Sequence, residues 1–325
     1  DGIRGVMGSL EGLRTLRENG IQTDRPLVIV DWTNEEGSRF APAMVASGVW
    51  AGALERDWVY ARADRDGKRQ GEELARIGYR GTAPAKKWPA HAYFELHIEQ
   101  GAVLDEAKIP IGVVQGSVGI SSRKCPATGF ANHAGTTPMN RRKDALAAAA
   151  RSLLAVREEV RAEQGRQVGT VGWMKVEPGA TNVIPGRVTF PVELRDLDAE
   201  KIKRIGERIQ QRFEIIGKEE SVQITCTAPD LEEPALTAPA FREAIQEAAA
   251  EAGLKTLELP SGAGHDAQNV ARFAPVGMIF VPSRGGISHS PLEYSSPEQV
   301  ANGAEVLYRS VLRLDAQLDA GKPAH

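Results

Sequence analysis

Val6, Leu10, Leu13 and Leu16 recur at helical spacing between Gly2 and Gly20, and glycines at 2, 5 and 8 crowd the entry to that stretch. The pattern predicts a helix packed closely beneath a site. A continuous apolar run follows, Pro26-Leu27-Val28-Ile29-Val30-Asp31-Trp32, bounded by turn chemistry and predicted as a buried strand ending at Thr33-Asn34-Glu35-Glu36-Gly37. Ala92-Tyr93-Phe94-Glu95-Leu96 predicts a second short strand leading to His97, and Val276-Gly277-Met278-Ile279-Phe280-Val281 a third leading towards His289. Polar residues at strand ends are where ligands bind in open α/β sheets.

The middle of the chain changes character. Alternating segments near 124–129, 169–176 and 187–194, helical patterns near 144–163 and 199–216, and a last strand at 221–226 give the order β-α-β-β-α-β. That order predicts a small α+β domain with its helices on one face, inserted into a larger one. Pro229-Asp230-Leu231-Glu232-Glu233-Pro234 and Pro239 mark the return, after which 240–252 resumes a helical pattern. The expected catalytic domain is therefore discontinuous, residues 1–115 and 228–325, around an insert of 116–227.

Length and composition narrow the function. At 325 residues and 42% hydrophobic, the chain can bury two moderate cores. Its 40 basic and 43 acidic residues give a net charge of -3, so no long-range field would hold nucleic acid or an anionic membrane. A small polar substrate is expected. No apolar stretch approaches the roughly 20 residues needed to span a bilayer. Cys125 and Cys226 are too few for a disulfide framework, and no leader is visible, so a soluble protein of a reducing cytoplasm is expected.

Chemistry-bearing residues gather in five segments: Asp1-Gly2, Glu35-Glu36-Gly37, His97-Ile98-Glu99-Gln100-Gly101, His133 to Pro138, and Gly285 to His289. Paired metal ions need oxygen and nitrogen ligands converging from separate elements, with a base nearby to deprotonate water. Asp1, Glu36, His97 and His289 offer such a set. Glu35 and Glu36, if extended, point to opposite faces and could divide metal binding from proton handling. Each residue also has a plainer reading: a solvated Glu-Glu pair, a core histidine at 97, a loop histidine at 289, a helix start after His133, and an ion pair from Arg195 to Asp196 or Asp198. His265-Asp266 reads as a supporting pair or a helix cap.

Taken together, Asn34 to Phe40, His97 to Gly101, His133 to Met139, Asn182 to Gly186, Ser261 to Asp266 and Ser283 to His289 resemble the metal-dependent amidohydrolases of the M20 peptidase superfamily. The similarity is to the branch with N-carbamoyl-L-amino-acid hydrolase, β-ureidopropionase and allantoate amidohydrolase. It implies a metallopeptidase-like α/β catalytic domain with a central mixed sheet, and a ferredoxin-like insert serving as lid and dimer interface. It also implies two divalent ions, zinc, manganese, cobalt or nickel. Asp1 would bridge them, Glu36 and His289 would hold one, and His97 the other. Glu35 would be the general base, His133 would polarise the scissile carbonyl, Asn182 and Arg195 would contact the substrate, and Gln100 would orient the ureido group. A guanidinium at 195 suits a substrate carboxylate through two parallel hydrogen bonds.

The resemblance further implies an upstream strand ending in His-x-Asp that this chain does not contain, so a fragment of a longer reading frame is expected. Three functional readings follow: hydrolysis of an N-carbamoyl-L-amino acid, the same chemistry on allantoate or β-ureidopropionate, or an inactive dimeric binding relic. An exopeptidase is disfavoured by histidine at position 97 and by the Ser283-Arg284-Gly285-Gly286 context.

Overall fold

The computed structural model describes residues 2–318. The first part of the chain carries α1 (Ile3–Glu18), the short helices α2 (Val45–Trp50), α3 (Arg56–Tyr60) and α4 (Gln70–Arg76), then β1 (Tyr93–Ile98), α5 (Val103–Ala107) and β2 (Ile111–Ser117). The middle carries β3 (Gly119–Thr128), β4 (Asn132–His133), α6 (Ala145–Ala162), β5 (Val168–Thr170), β6 (Lys175–Glu177), β7 (Val183–Ile184), β8 (Arg187–Asp196), α7 (Ala199–Glu220), β9 (Gln223–Ile224) and β10 (Asp230–Glu232). The last part carries β11 (Ala235–Leu236), α8 (Pro239–Glu251), β12 (Thr256–Ser261), α9 (Ala267–Val270), β13 (Val276–Val281) and α10 (Pro297–Leu318). Two units result, Asp1–Ser117 with Ala235–His325, and Val118–Pro234. The return to the first unit falls later than 228 because β10 pairs antiparallel with β3 and so belongs to the insert.

The first unit is built on a mixed sheet in the order β1-β13-β2-β11, with β12 also pairing β2. β1 runs parallel to β13, whereas β13 and β2 are antiparallel. Alternation sends Leu96, Ile98, Ile279 and Val281 to one face, where they pack with Ile245, Ala248 and Ala249 of α8 and Val306 and Leu307 of α10. Met278 and Phe280 pack with Leu104, Val114, Leu259 and Ala267 on the other. α1 lies tight against β1, as its glycines predict: a Cβ on Gly5 would meet the Leu96 carbonyl oxygen at 2.8 Å.

Residues 26–32 correct one expectation, since they form no strand. Val28 is 63% exposed. Leu27, Ile29, Val30 and Trp32 instead line a cavity of about 680 Å³, together with residues of α1, β1 and α10. An apolar run reports a need for burial, and periodicity does not distinguish sheet pairing from lining a cavity.

The second unit pairs β3 with β8 along ten residues, flanked by β10, β5, β6 and β9 in an antiparallel sheet. Val188, Phe190, Val192 and Leu194, all on one face of β8, pack with residues of α6 and α7 such as Ala155, Ile205 and Phe213. Asp144 caps α6 by accepting from the Leu146 and Ala147 amides at 2.9 and 3.1 Å, which fixes where that helix begins. Cys125 and Cys226 are joined in a disulfide, contrary to the sequence expectation. The register Ala127↔Ile224 sets the two residues opposite each other when extended by two, a relation that a cysteine count does not contain. Among the described residues no helix is long and apolar enough to cross a membrane.

Candidate active site

The turn after Trp32 carries both carboxylates. Asn34 adopts φ 59°, and its side-chain amide donates to the Phe40 carbonyl at 2.7 Å, while the Met44 amide donates to the Glu35 carbonyl at 2.7 Å. Arg39 holds the outside of this loop through Asp64 at 2.9 Å and Glu73 at 2.8 Å. Glu35 is half-buried and lines the cavity with Glu36 and His97. Burial, followed by the neighbouring Glu36 charge, raises the Glu35 carboxyl above its ordinary range. A raised carboxyl in a cleft is suited to accepting and returning a proton.

His97, 3% exposed, is held by β1. Its Nδ1 lies 2.9 Å from the Ile98 carbonyl oxygen, an arrangement that requires N–H at Nδ1 and leaves the neutral ring's lone pair on Nε2. Just beyond, the Glu99 carboxylate accepts from the Val103 and Leu104 amides at 2.9 and 2.7 Å, capping α5, and Gln100 turns at φ 60°.

His289 arrives on the loop after β13, also at positive φ, 54°. Its amide donates to Glu293 Oε2 at 3.2 Å, and Glu293 pairs with Arg4 of α1 at 2.9 Å. The Gly285 amide donates to Asp105 at 2.8 Å. His289 Nε2 thereby reaches 3.2 Å from Glu36 Oε2. Of the non-glycine residues at positive φ, Lys108 and Ser221 cap helix C-termini, whereas Asn34, Met44, Gln100 and His289 all lie in the loops that carry these side chains. Backbone strain collected in one place is a mark of a functional site.

Asp1 lies outside the described residues. Among the described residues no three His, Cys, Asp or Glu side chains form a complete metal site. Glu36 and His289 meet, and His97 lines the same cavity as Glu36.

From sequence, His265-Asp266 reads only as a supporting pair or a helix cap, and Glu95 carries no assigned role. Burial tends to raise the Glu95 carboxyl, but His265, His97 and the Ala267 amide outweigh it and hold the carboxylate below its ordinary range. Burial likewise pushes His265 down, against the pull of Glu95. Asp266, buried and hydrogen-bonded to Ser47, is pushed up to about 8 by burial and by the nearby Glu95 and Glu35 charges. The signal was available: Tyr93, Glu95 and His97 are the polar half of an alternating strand whose other half is apolar.

The remaining sequence-predicted residues lie in the second unit. His133 ends β4 in its two-stranded ladder with β7, and Asn182 immediately precedes β7, where the Ala134 amide donates to the Asn182 carbonyl at 2.9 Å. His133 Nδ1 accepts from the Gly135 and Thr136 amides at 3.0 and 3.2 Å, which fixes the ring and puts any N–H of a neutral imidazole at Nε2. Arg195 lies on β8 and pairs with Glu193 at 2.8 Å. Asp196 pairs with Lys201 at 3.0 Å, and Asp198 caps α7.

Residues 1–313 match peptidase family M20/M25/M40. The chain belongs to this family. It is 42% identical to an N-carbamoyl-L-amino acid amidohydrolase of Geobacillus stearothermophilus over 97% of its own length and 77% of that protein's. A ureidoglycolate hydrolase of Arabidopsis thaliana is 35% identical, over 97% of this chain and 68% of that one. Among solved structures, a hydantoinase/carbamoylase family amidase from Burkholderia multivorans superposes with a TM-score of 0.90 at 43% identity, covering 96% of this chain and 76% of that chain. The M20 resemblance and the α/β fold with its inserted sheet therefore hold across nearly the whole sequence.

Proposed function

We propose that this M20 chain hydrolyses the carbamoyl C–N bond of an N-carbamoyl-L-amino acid, giving the amino acid, ammonia and carbon dioxide. The observation that carries the reading is the meeting of Glu36 with His289 beside Glu35, on a cavity shared with His97. Its support is the identity to relatives named for that activity.

The family implies divalent metal ions, and the side chains fit them: Glu36 and His289 are already in contact, and the His97 ring presents Nε2 as its lone-pair atom. Carboxylate and imidazole donors suit zinc, manganese, cobalt or nickel. Bound ions supply Lewis acidity and a water molecule of lowered pKa. Asp1, Glu36, His97 and His289 would hold two such ions. Glu35 takes the proton from water and returns it to the departing nitrogen. Arg195 grips the substrate carboxylate, Asn182 contacts the substrate, His133 donates to the developing oxyanion and Gln100 orients the ureido group. By the same resemblance, the Val118–Pro234 unit serves as lid and homodimer interface. The joined cysteines favour oxidising surroundings over the reducing cytoplasm expected from sequence.

The ureidoglycolate hydrolase relatives favour a second reading, a shorter ureido acid, and allantoate and β-ureidopropionate share its chemistry. Ammonia release by the protein from its complete coding sequence, with zinc, manganese, cobalt or nickel, should be measured on N-carbamoyl-L-amino acids, β-ureidopropionate, allantoate and ureidoglycolate. Fastest release from an N-carbamoyl-L-amino acid is expected, and turnover of none of them would overturn the proposal.

A further inference from the structure

Glu95 and His97 stand two residues apart on the same face of β1, the face opposite Leu96 and Ile98. A largely buried carboxylate there, its side chain 14% exposed, needs partners. Glu95 Oε2 accepts from the Ala267 amide at 2.9 Å and from the Tyr93 hydroxyl at 3.1 Å, and that hydroxyl accepts from Trp32 Nε1 at 3.1 Å. Glu95 Oε1 lies 3.6 Å from His265 Nδ1, an electrostatic contact longer than a hydrogen bond. His265, 1% exposed, has Nε2 2.7 Å from Ser261 Oγ. Its ring stands edge-on to His97, with centroids 4.7 Å apart and planes at 72°. The imidazole of His265 is therefore held at one end by Ser261, faces Glu95 at the other, and abuts the His97 ring.

We propose that Glu95, acting through His265, is a positioning residue that fixes the His97 imidazole for metal binding. The proposal rests on His97 being a metal ligand, as proposed above. Glu95 does not itself bind metal or substrate. His265 presents Nδ1–H to Glu95 when the Ser261 hydroxyl donates to Nε2 rather than to the Ala263 carbonyl 3.1 Å away, and the Glu95 charge selects that arrangement. Without that charge His265 can turn, and the surface that packs against His97 turns with it.

The test is titration of the metal-stripped full-length protein with Co²⁺, followed by visible absorption and by bound-metal content, in the wild type and Glu95→Gln. Glu95→Gln keeps an acceptor for the Ala267 amide but removes the charge. Co²⁺ affinity is expected to fall roughly 10- to 100-fold, the range for outer partners of ligating histidines, with the unfolding midpoint of the metal-free protein unchanged. Equal Co²⁺ affinity, or a loss matched by a lowered midpoint of the metal-free protein, would overturn the proposal. Should Glu95→Gln not fold, Tyr93→Phe removes one donor to Glu95: a smaller weakening is expected, and unchanged affinity counts against the idea. No Co²⁺ binding by the wild type would instead sink the ligand reading of His97, and this proposal with it.

Discussion

Gly286 sits at φ 67°, and a Cβ there would lie 2.4 Å from the backbone of Gly101 and Ala102. The loop bearing His289 is thus seated directly on the loop that follows His97. Gly286→Ala is expected to cost about 2 kcal/mol or more, from left-handed strain and backbone overlap together, and to lower metal occupancy. Chemical denaturation and metal analysis check both, and a neutral effect would mean the loops are not coupled. Asp266 makes a pH-dependent contribution. Its carboxyl goes from an ordinary 3.8 to about 8 on folding, so the folded chain keeps a proton that the unfolded chain releases. The stability from that proton is fully present below the unfolded value and is lost as pH rises through about 8. In the metal-free protein, Asp266→Asn is expected to flatten the decline of the unfolding midpoint between pH 5 and 8, taken at roughly one-unit steps. An unchanged slope would show that Asp266 ionises normally. At this scale Glu35, Glu36, His97 and His289 were legible because each sits in a short motif beside a turn or strand end. His265 was legible only as half of a supporting pair and Glu95 only as a polar position of an alternating strand, because what they support lies in contacts between β1 and the turn after β12, 170 positions apart.

Among elements, the clearest signals were those whose burial and pairing coincide. β13 lies where its continuous apolar run predicts, with every residue buried, and Ile279→Ala there is expected to cost about 2 to 5 kcal/mol in a denaturant titration. A loss below 1 kcal/mol, roughly that of a surface change, would contradict its place in the core. The run at 26–32 shows the opposite case, since it is apolar enough for a strand yet lines a cavity. Register was equally illegible. The disulfide between Cys125 and Cys226 depends on which residue of β9 faces which of β3. Thiol titration of the denatured, unreduced protein should find neither cysteine free, whereas two free thiols would return the chain to the reducing compartment expected from sequence.

At the scale of the whole molecule, the discontinuous first unit gathers chemistry from three distant parts of the chain. Glu35 and Glu36 come from the loop after Trp32, His97 from β1 and His289 from the loop after β13. His133, Asn182 and Arg195 all belong to the inserted unit. Removal of divalent ions by a chelator is expected to abolish ammonia release, and readdition of zinc, manganese, cobalt or nickel to restore it. Activity unaffected by chelation would exclude the metal-assisted reading. The central claim is that Glu35 moves the proton at this centre, and the most direct measurement is kcat for Glu35→Gln on the best substrate, alongside its metal content and unfolding midpoint. A loss of about 10²- to 10⁴-fold with both unchanged is the expected result. Retention of wild-type kcat would contradict the account.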